Sequence, residues 1–199
     1  MIGTVRASDL APLDYRYALD AAASLLSGEG PAFVLCRVAE LRDEVRQRVP
    51  RWAAKPDAAA ALWVEPLLGT WRTDAEMLRN VLPNGALLAV VLSRPLARLI
   101  PDRRAWAPEA VGLQIRGAGR IRSTLGAVGF AVEASHGIHS AVAIGLNLAA
   151  RQCARFGCPD LGDRLQFAAR RHYRVSGPTE GLATVGLLIA RKRPAPWSR

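Results

Sequence analysis

His136-Gly137-Ile138-His139 places two imidazoles three residues apart, the pair of side chains in this sequence with the most obvious capacity for proton transfer or metal ligation. With His172, Glu133 or Asp160 they could form a metal site. The glycine between them and the lack of a fixed third ligand nearby argue instead for the polar end of a strand, so no metal is expected. If a substrate binds there, His136 or His139 is the candidate general base. Ser24, Ser93, Ser123 and Ser135 lack the Gly-x-Ser-x-Gly setting of a nucleophile elbow. Cys36, Cys153 and Cys158 are odd in number and show no CxxC spacing, which excludes a disulfide framework or a zinc ribbon.

The other chemistry-bearing group is arginine. The chain carries a formal net charge of +10, and Lys55 and Lys192 are its only lysines. Arg116 and Arg120 share a helical face, as do Arg151 and Arg155. Solvated helix faces explain such spacing, but arginine forks also pair bidentately with anionic oxygens. The candidate contact set is Arg116, Arg120, Arg151, Arg155, Arg170, Arg171, Arg191, Lys192 and Arg193, with Trp197 as an aromatic in a basic tail. Aromatics interleave too sparsely for a stacking platform on single strands. An acidic protein partner is therefore expected ahead of nucleic acid, and a homo-oligomer stays open. Trp52, Trp63, Trp71 and Trp106 are spread over different elements and are expected in the core or at an interface.

Elements to position these groups follow from periodicity. Residues 13–27 read as an amphipathic helix, with Leu13, Tyr17, Ala21, Ser24 and Leu25 as its apolar positions, ended by Gly28-Glu29-Gly30-Pro31. Ala32 to Cys36 is a buried strand, and Leu41, Val45 and Val49 mark a helix after it. Leu62-Trp63-Val64 is the next strand centre. Thr73-x-x-Glu76 has the form of a capping box for the helix that follows. After the Pro83-Asn84-Gly85 turn, Ala86 to Leu92 is apolar on both faces, as a central parallel strand must be. A helix ends near Leu125, Phe130 to Ala134 is a strand, a helical region spans roughly 140 to 171, and Thr184 to Ala190 is the last strand.

This order resembles the class I S-adenosylmethionine-dependent methyltransferases over about 74–192. The resemblance rests on a helix ending in Leu82-Pro83-Asn84-Gly85 before an apolar strand, a Gly129-Phe130 strand opening, and a final strand running into Ala190-Arg191-Lys192. It implies a Rossmann-like fold whose last two strands are an antiparallel pair. It also implies a glycine-rich turn after the first strand, where backbone amides approach the cofactor, and an acidic residue after the second that holds the ribose hydroxyls. Here that turn reads Cys36-Arg37-Val38-Ala39-Glu40, with no glycine, and Glu65 is the nearest acidic counterpart. Cys36, Arg37, Val38 and Glu65 thus line a degenerate cofactor position, and the chain is one strand–helix unit short before residue 60. Gly117-Ala118-Gly119-Arg120 is a poor substitute, because it does not follow a strand.

With half its residues hydrophobic, the chain can bury a substantial core. The expectation is a reduced Rossmann-like α/β domain over 1–192, mostly parallel with an antiparallel last strand and helices on both faces, followed by a basic tail over 193–199. No apolar run reaches the roughly 20 residues of a membrane span, and the amino terminus lacks a secretory apolar core, so a soluble cytoplasmic protein is expected. The function expected is that of a non-catalytic methyltransferase-like interaction or assembly protein without a cofactor. The alternatives are an active methyltransferase using S-adenosylmethionine on a small molecule, with the cofactor held in an unusual pocket or in one completed by a partner subunit, and a basic nucleic-acid-binding module.

Overall fold

The computed structural model describes residues 13–49, 53–99, 111, 118–176 and 181–194. Helix α1 (Leu13–Ser27) leads into β1 (Ala32–Cys36), α2 (Ala39–Arg48), β2 (Ala60–Val64), α3 (Trp71–Val81) and β3 (Leu87–Ser93). Then come α4 (Ala118–Ala127), β4 (Phe130–Ser140), the helical hairpin α5 (Ala141–Arg155) and α6 (Pro159–Arg171), the two-residue β5 (Arg174–Val175) and β6 (Ala183–Lys192). One six-stranded sheet has the order β1-β2-β3-β6-β4-β5. Strands β1, β2 and β3 pair in parallel, while β6 lies antiparallel between β3 and β4 and leaves β4 pointing the same way as the first three.

Strand alternation divides the core between the two faces. Leu62 and Val64, Leu87, Ala89 and Val91, and Val185, Leu187 and Ile189 face α1 and α2. Ala61, Trp63, Leu88, Val90, Leu188 and Ala190 face α3 and α4. Every residue of β2 and β3 is buried, as their continuous apolar sequence requires. Each fully buried leucine or valine there contributes about 1.5–3 kcal/mol relative to exposure. Trp63 and Trp71 are buried, whereas Trp52 and Trp106 lie outside the described residues.

Several local expectations shift. The buried stripe of α1 is Tyr15, Ala18, Leu19, Ala22 and Leu26, while Tyr17 and Leu25 are exposed. The helix is where periodicity puts it, but its inward face is turned, with Tyr15, Leu19 and Leu26 as its large buried side chains and Ala18 and Ala22 between them. Helix α3 starts two residues before Thr73, so Thr73 and Glu76 are exposed within the helix and its N-cap is Thr70. Strand β4 extends to Ser140 and includes both His136 and His139, with a bulge between Val132 and Ala134. Strand β6 extends through Arg191 and Lys192, which the antiparallel neighbours β3 and β4 hold in register.

The steps β1 to β2 and β2 to β3 move across the sheet in one direction, yet α2 and α3 pack on opposite faces. The two crossovers therefore have opposite hands. Parallel crossovers are right-handed in about 98% of cases. If β2–α3–β3 obeys that rule, α2 sits where a right-handed crossover would carry the chain outward, to a strand beyond β1. Among the described residues no strand lies there. Instead the chain returns along the start of β1, where Ala53 N–H donates to Ala32 O and Ala59 N–H to Pro31 O. In open α/β sheets the ligand crevice forms at the point where strand order reverses. With no described strand outside β1, that reversal is missing.

Candidate functional site

The carboxyl ends of β1, β2, β3 and β4 form one surface, and it gathers most of the buried polar groups among the described residues. At the end of β1 the Cys36 thiol donates to Val38 O at 3.3 Å, and Val38 itself is buried against α1 and α2. Arg37 turns across the strand ends to Asp74 on α3. Its Nε donates to the two carboxylate oxygens at 2.8 and 3.1 Å, and its Nη2 donates to Oδ1. Asp74 is 1% exposed and also accepts from Thr70 Oγ1 at 2.9 Å. The hydrogen bonds to Asp74, reinforced by its charge, raise the Arg37 pKa above its already high ordinary value. A bidentate pair with one buried partner is a rigid feature.

Glu65, at the end of β2, has the left-handed φ of +47° and is buried. Its Oε1 accepts from both Ser93 N–H and Ser93 Oγ at 2.6 Å, which turns it toward β3 and away from the outer side of β1. Next to it Arg94 is buried, its N–H donating to Thr184 O at 2.8 Å. The Arg94 side chain lies on Gly186, where an added Cβ would stand 2.8 Å from Nε. A glycine inside an otherwise apolar strand signals such an approach.

The two histidines part company. His136 holds its ring against the sheet's far edge: Nδ1 is 2.8 Å from Ser176 Oγ, and Arg174 Nη2 donates to Nε2 at 2.6 Å. That arrangement requires the tautomer with its proton on Nδ1. His139 has φ of +58° and makes the corner by which β4 passes directly into α5, its ring stacked on Tyr173 at 5.1 Å. The two rings have separate partners, His136 on Ser176 and Arg174 and His139 on Tyr173. Among the described residues no group of three His, Cys, Asp or Glu is placed to hold a metal ion.

The expected basic set falls in separate places. Arg151, Arg155, Arg170 and Arg171 are exposed on the α5–α6 hairpin, where the Arg171 guanidinium lies 5.4 Å from the Phe167 ring. Arg120 is exposed on α4, which packs on the face of the sheet opposite α1 and α2. Arg191 is tied to Glu29 at 3.0 Å and Glu133 at 3.3 Å, and the hydrogen bond to Glu29 raises its pKa. Lys192 does not belong to the contact set: it is 7% exposed, and its ammonium donates to Leu82 O at the end of α3. Burial, with Arg79 nearby, lowers its pKa. Arg193 is exposed, and Arg116 and Trp197 lie outside the described residues. The residues that sequence reasoning missed are Asp74, Ser93, Arg94 and Gly186. Only Gly186 left a signal, as a glycine in an apolar strand.

The residues at the expected cofactor position do not fit S-adenosylmethionine. No glycine opens the turn after β1, Arg37 spans the strand ends to Asp74, and Glu65 is committed to Ser93. No family model matches the sequence, and neither does any curated protein. Solved structures do match. A SAM-dependent methyltransferase, possible histamine N-methyltransferase, from Thermotoga maritima aligns with 91% of this chain and 92% of its own, at 10% identity and a TM-score of 0.55. The cyclopropane synthase MmaA2 from Mycobacterium tuberculosis aligns over 94% and 97% at 12% identity, with a TM-score of 0.48. At such identity the first likeness establishes architecture and leaves chemistry open. The chain is methyltransferase-like in fold: a Rossmann-like mixed sheet, four strands pointing one way, with helices on both faces.

Proposed function

We propose that this methyltransferase-like chain is non-catalytic and serves as an interaction or assembly protein, presenting exposed arginines to an acidic protein partner. The observation that carries this reading is the Arg37–Asp74 pair, which occupies the strand ends where the fold's cofactor would approach the backbone. A buried carboxylate with a bidentate guanidinium does not open without leaving a charge unpaired. The arginines of the α5–α6 hairpin, exposed on a helix pair that stands out from the sheet, supply the contact surface.

Isothermal calorimetry against S-adenosylmethionine and S-adenosylhomocysteine, with a thermal-shift scan beside it, tests the reading. A ligand that binds only the folded state raises the melting temperature. Silence in both assays is expected, and a micromolar signal overturns the proposal. Affinity capture with a polyglutamate-bearing bait, compared between the intact chain and an Arg151→Ala/Arg155→Ala variant, tests the acidic partner; equal capture by both would remove the hairpin from the interface.

The second reading, an active S-adenosylmethionine-dependent enzyme, draws on the whole-chain likeness in fold. It needs a base, and His136 is poorly placed for that role because Arg174 donates to its Nε2. It also needs the cofactor held in an unusual pocket or in one that another subunit completes.

A further inference from the structure

Between α1 and the α5–α6 hairpin the surface opens into a cavity of about 570 Å³ lined by Tyr17, Asn147, Gln166, Arg170 and Tyr173. Its size falls in the range of small-molecule sites, which combine aromatic walls with a few polar groups. We propose that this cavity binds a small planar carboxylate, an aromatic or heteroaromatic acid, with Arg170 taking the carboxylate and the two tyrosines taking the ring.

The case starts from how the lining side chains are used. Some other arginines are paired with carboxylates, Arg37 with Asp74, Arg48 with Asp20 and Glu44, and Arg191 with Glu29 and Glu133, while Arg151 and Arg155 are exposed on the hairpin. Among the described residues, Arg170 has no acidic partner, and the side chains of Tyr17, Asn147, Gln166 and Tyr173 make no hydrogen bond to another described residue. One cation, two carboxamides and two phenols thus face a common space with their hydrogen-bonding capacity unspent. A guanidinium fork matches a carboxylate in two parallel bonds. The amides can serve the rim of a polar substituent, and the phenol rings offer faces and edges to an aromatic guest.

The cavity wall is also held in advance of any guest. Tyr173 stacks on His139 at 5.1 Å, meets Tyr17 edge-on at 6.0 Å, and its carbonyl accepts from His139 N–H at 2.6 Å. His139 keeps a left-handed φ to make that contact, a conformation that costs a non-glycine residue free energy and persists only where its surroundings enforce it. Ser140 closes the base of the hairpin, its Oγ accepting from Ala143 N–H and donating to His172 O at 2.8 Å. Ordering the aromatic wall before binding removes part of the entropy that a guest would otherwise lose. None of Cys36, Arg37, Val38 or Glu65 lines this cavity, so the inference is independent of whether S-adenosylmethionine binds.

The test is ligand-observed saturation-transfer NMR on the full chain with benzoate and indole-3-carboxylate as probes, benzamide as the uncharged analogue, and Arg170→Ala and Arg164→Ala as variants. Probes of this size should bind with Kd on the order of 1 mM. Arg170→Ala should weaken the carboxylates roughly tenfold or more, the worth of a charge-assisted hydrogen bond, and leave benzamide unchanged. Arg164→Ala, exposed on the same helix outside the cavity, should match the wild type. Absence of saturation transfer from the wild-type chain to the probes, carboxylate binding undiminished in Arg170→Ala, or benzamide binding as tightly as benzoate would each overturn the proposal. A melting curve for each variant separates lost binding from lost fold.

Discussion

Above β1 and β2, Arg37, Thr70 and Asp74 satisfy one another, and Glu65 satisfies Ser93; above β4, between α1 and the helical hairpin, Tyr17, Asn147, Gln166, Arg170 and Tyr173 leave their side chains to a cavity. Both regions lie on the carboxyl edge of one sheet. They differ in that the first sits beside the edge of β1, where no strand lies farther out among the described residues and the polar groups pair with one another. The second is walled by a hairpin whose helices pack mainly on each other, with Gly162 bringing α6 close to the Ala150 carbonyl. What the contrast teaches is that along one edge of a sheet polar side chains can be paired with one another in one region and left facing a concavity in the next.

The sharpest way to break the contrast is Arg37→Met, which leaves the buried Asp74 carboxylate with only the Thr70 hydroxyl for company. Removing one partner of a buried pair costs about 3–5 kcal/mol, and because Arg37 itself is half-exposed the lower end is expected here. Urea unfolding followed by circular dichroism reads it; a loss below about 1 kcal/mol would mean that the pair does not hold the strand ends shut. Ser140→Ala acts on the other region. It removes an N-cap and the tie to His172, about 1–2 kcal/mol in all, and amide exchange should quicken at 172–173 before it does in β3. Exchange that stays uniform would show that the hairpin base does not depend on Ser140.

The smallest effect concerns the opposite end of the sheet and serves as a control on both regions. Lys192 has a folded-state pKa below its ordinary value because of burial, so just under the ordinary lysine range the unfolded chain binds the extra proton. Stability should therefore rise with pH through that window. Melting temperatures of the wild type and Lys192→Met, compared from neutral pH toward 10, should shift in favour of the wild type by a degree or so, roughly. A flat difference would mean that the ammonium is as well solvated by the Leu82 carbonyl as by water.

Among the strand-end residues, legibility divides by distance along the chain. The missing glycine after β1 and the charge at Arg37 were plain from a few consecutive residues. The partner of Arg37 was not: Asp74 lies 37 positions on and looked like part of a helix start. Likewise Lys192 counted as a surface cation until packing buried it, whereas Arg151 and Arg155 stay exposed on the hairpin. His136 and His139, close in sequence, have different surroundings because His139 makes a left-handed corner that no residue type announces.

The sequence by itself determined the alternation of strands and helices, the central place of β3 and the loss of the glycine turn, because apolar periodicity and turn chemistry act over a few residues and are written in consecutive letters. Only the tertiary structure decided that α2 and α3 lie on opposite faces while their strands step one way, that Asp74 claims Arg37, and that five polar side chains from α1, the hairpin and its exit meet around one cavity. Those outcomes depend on which distant segments pack together, a matter of volume and charge in space that no local pattern encodes.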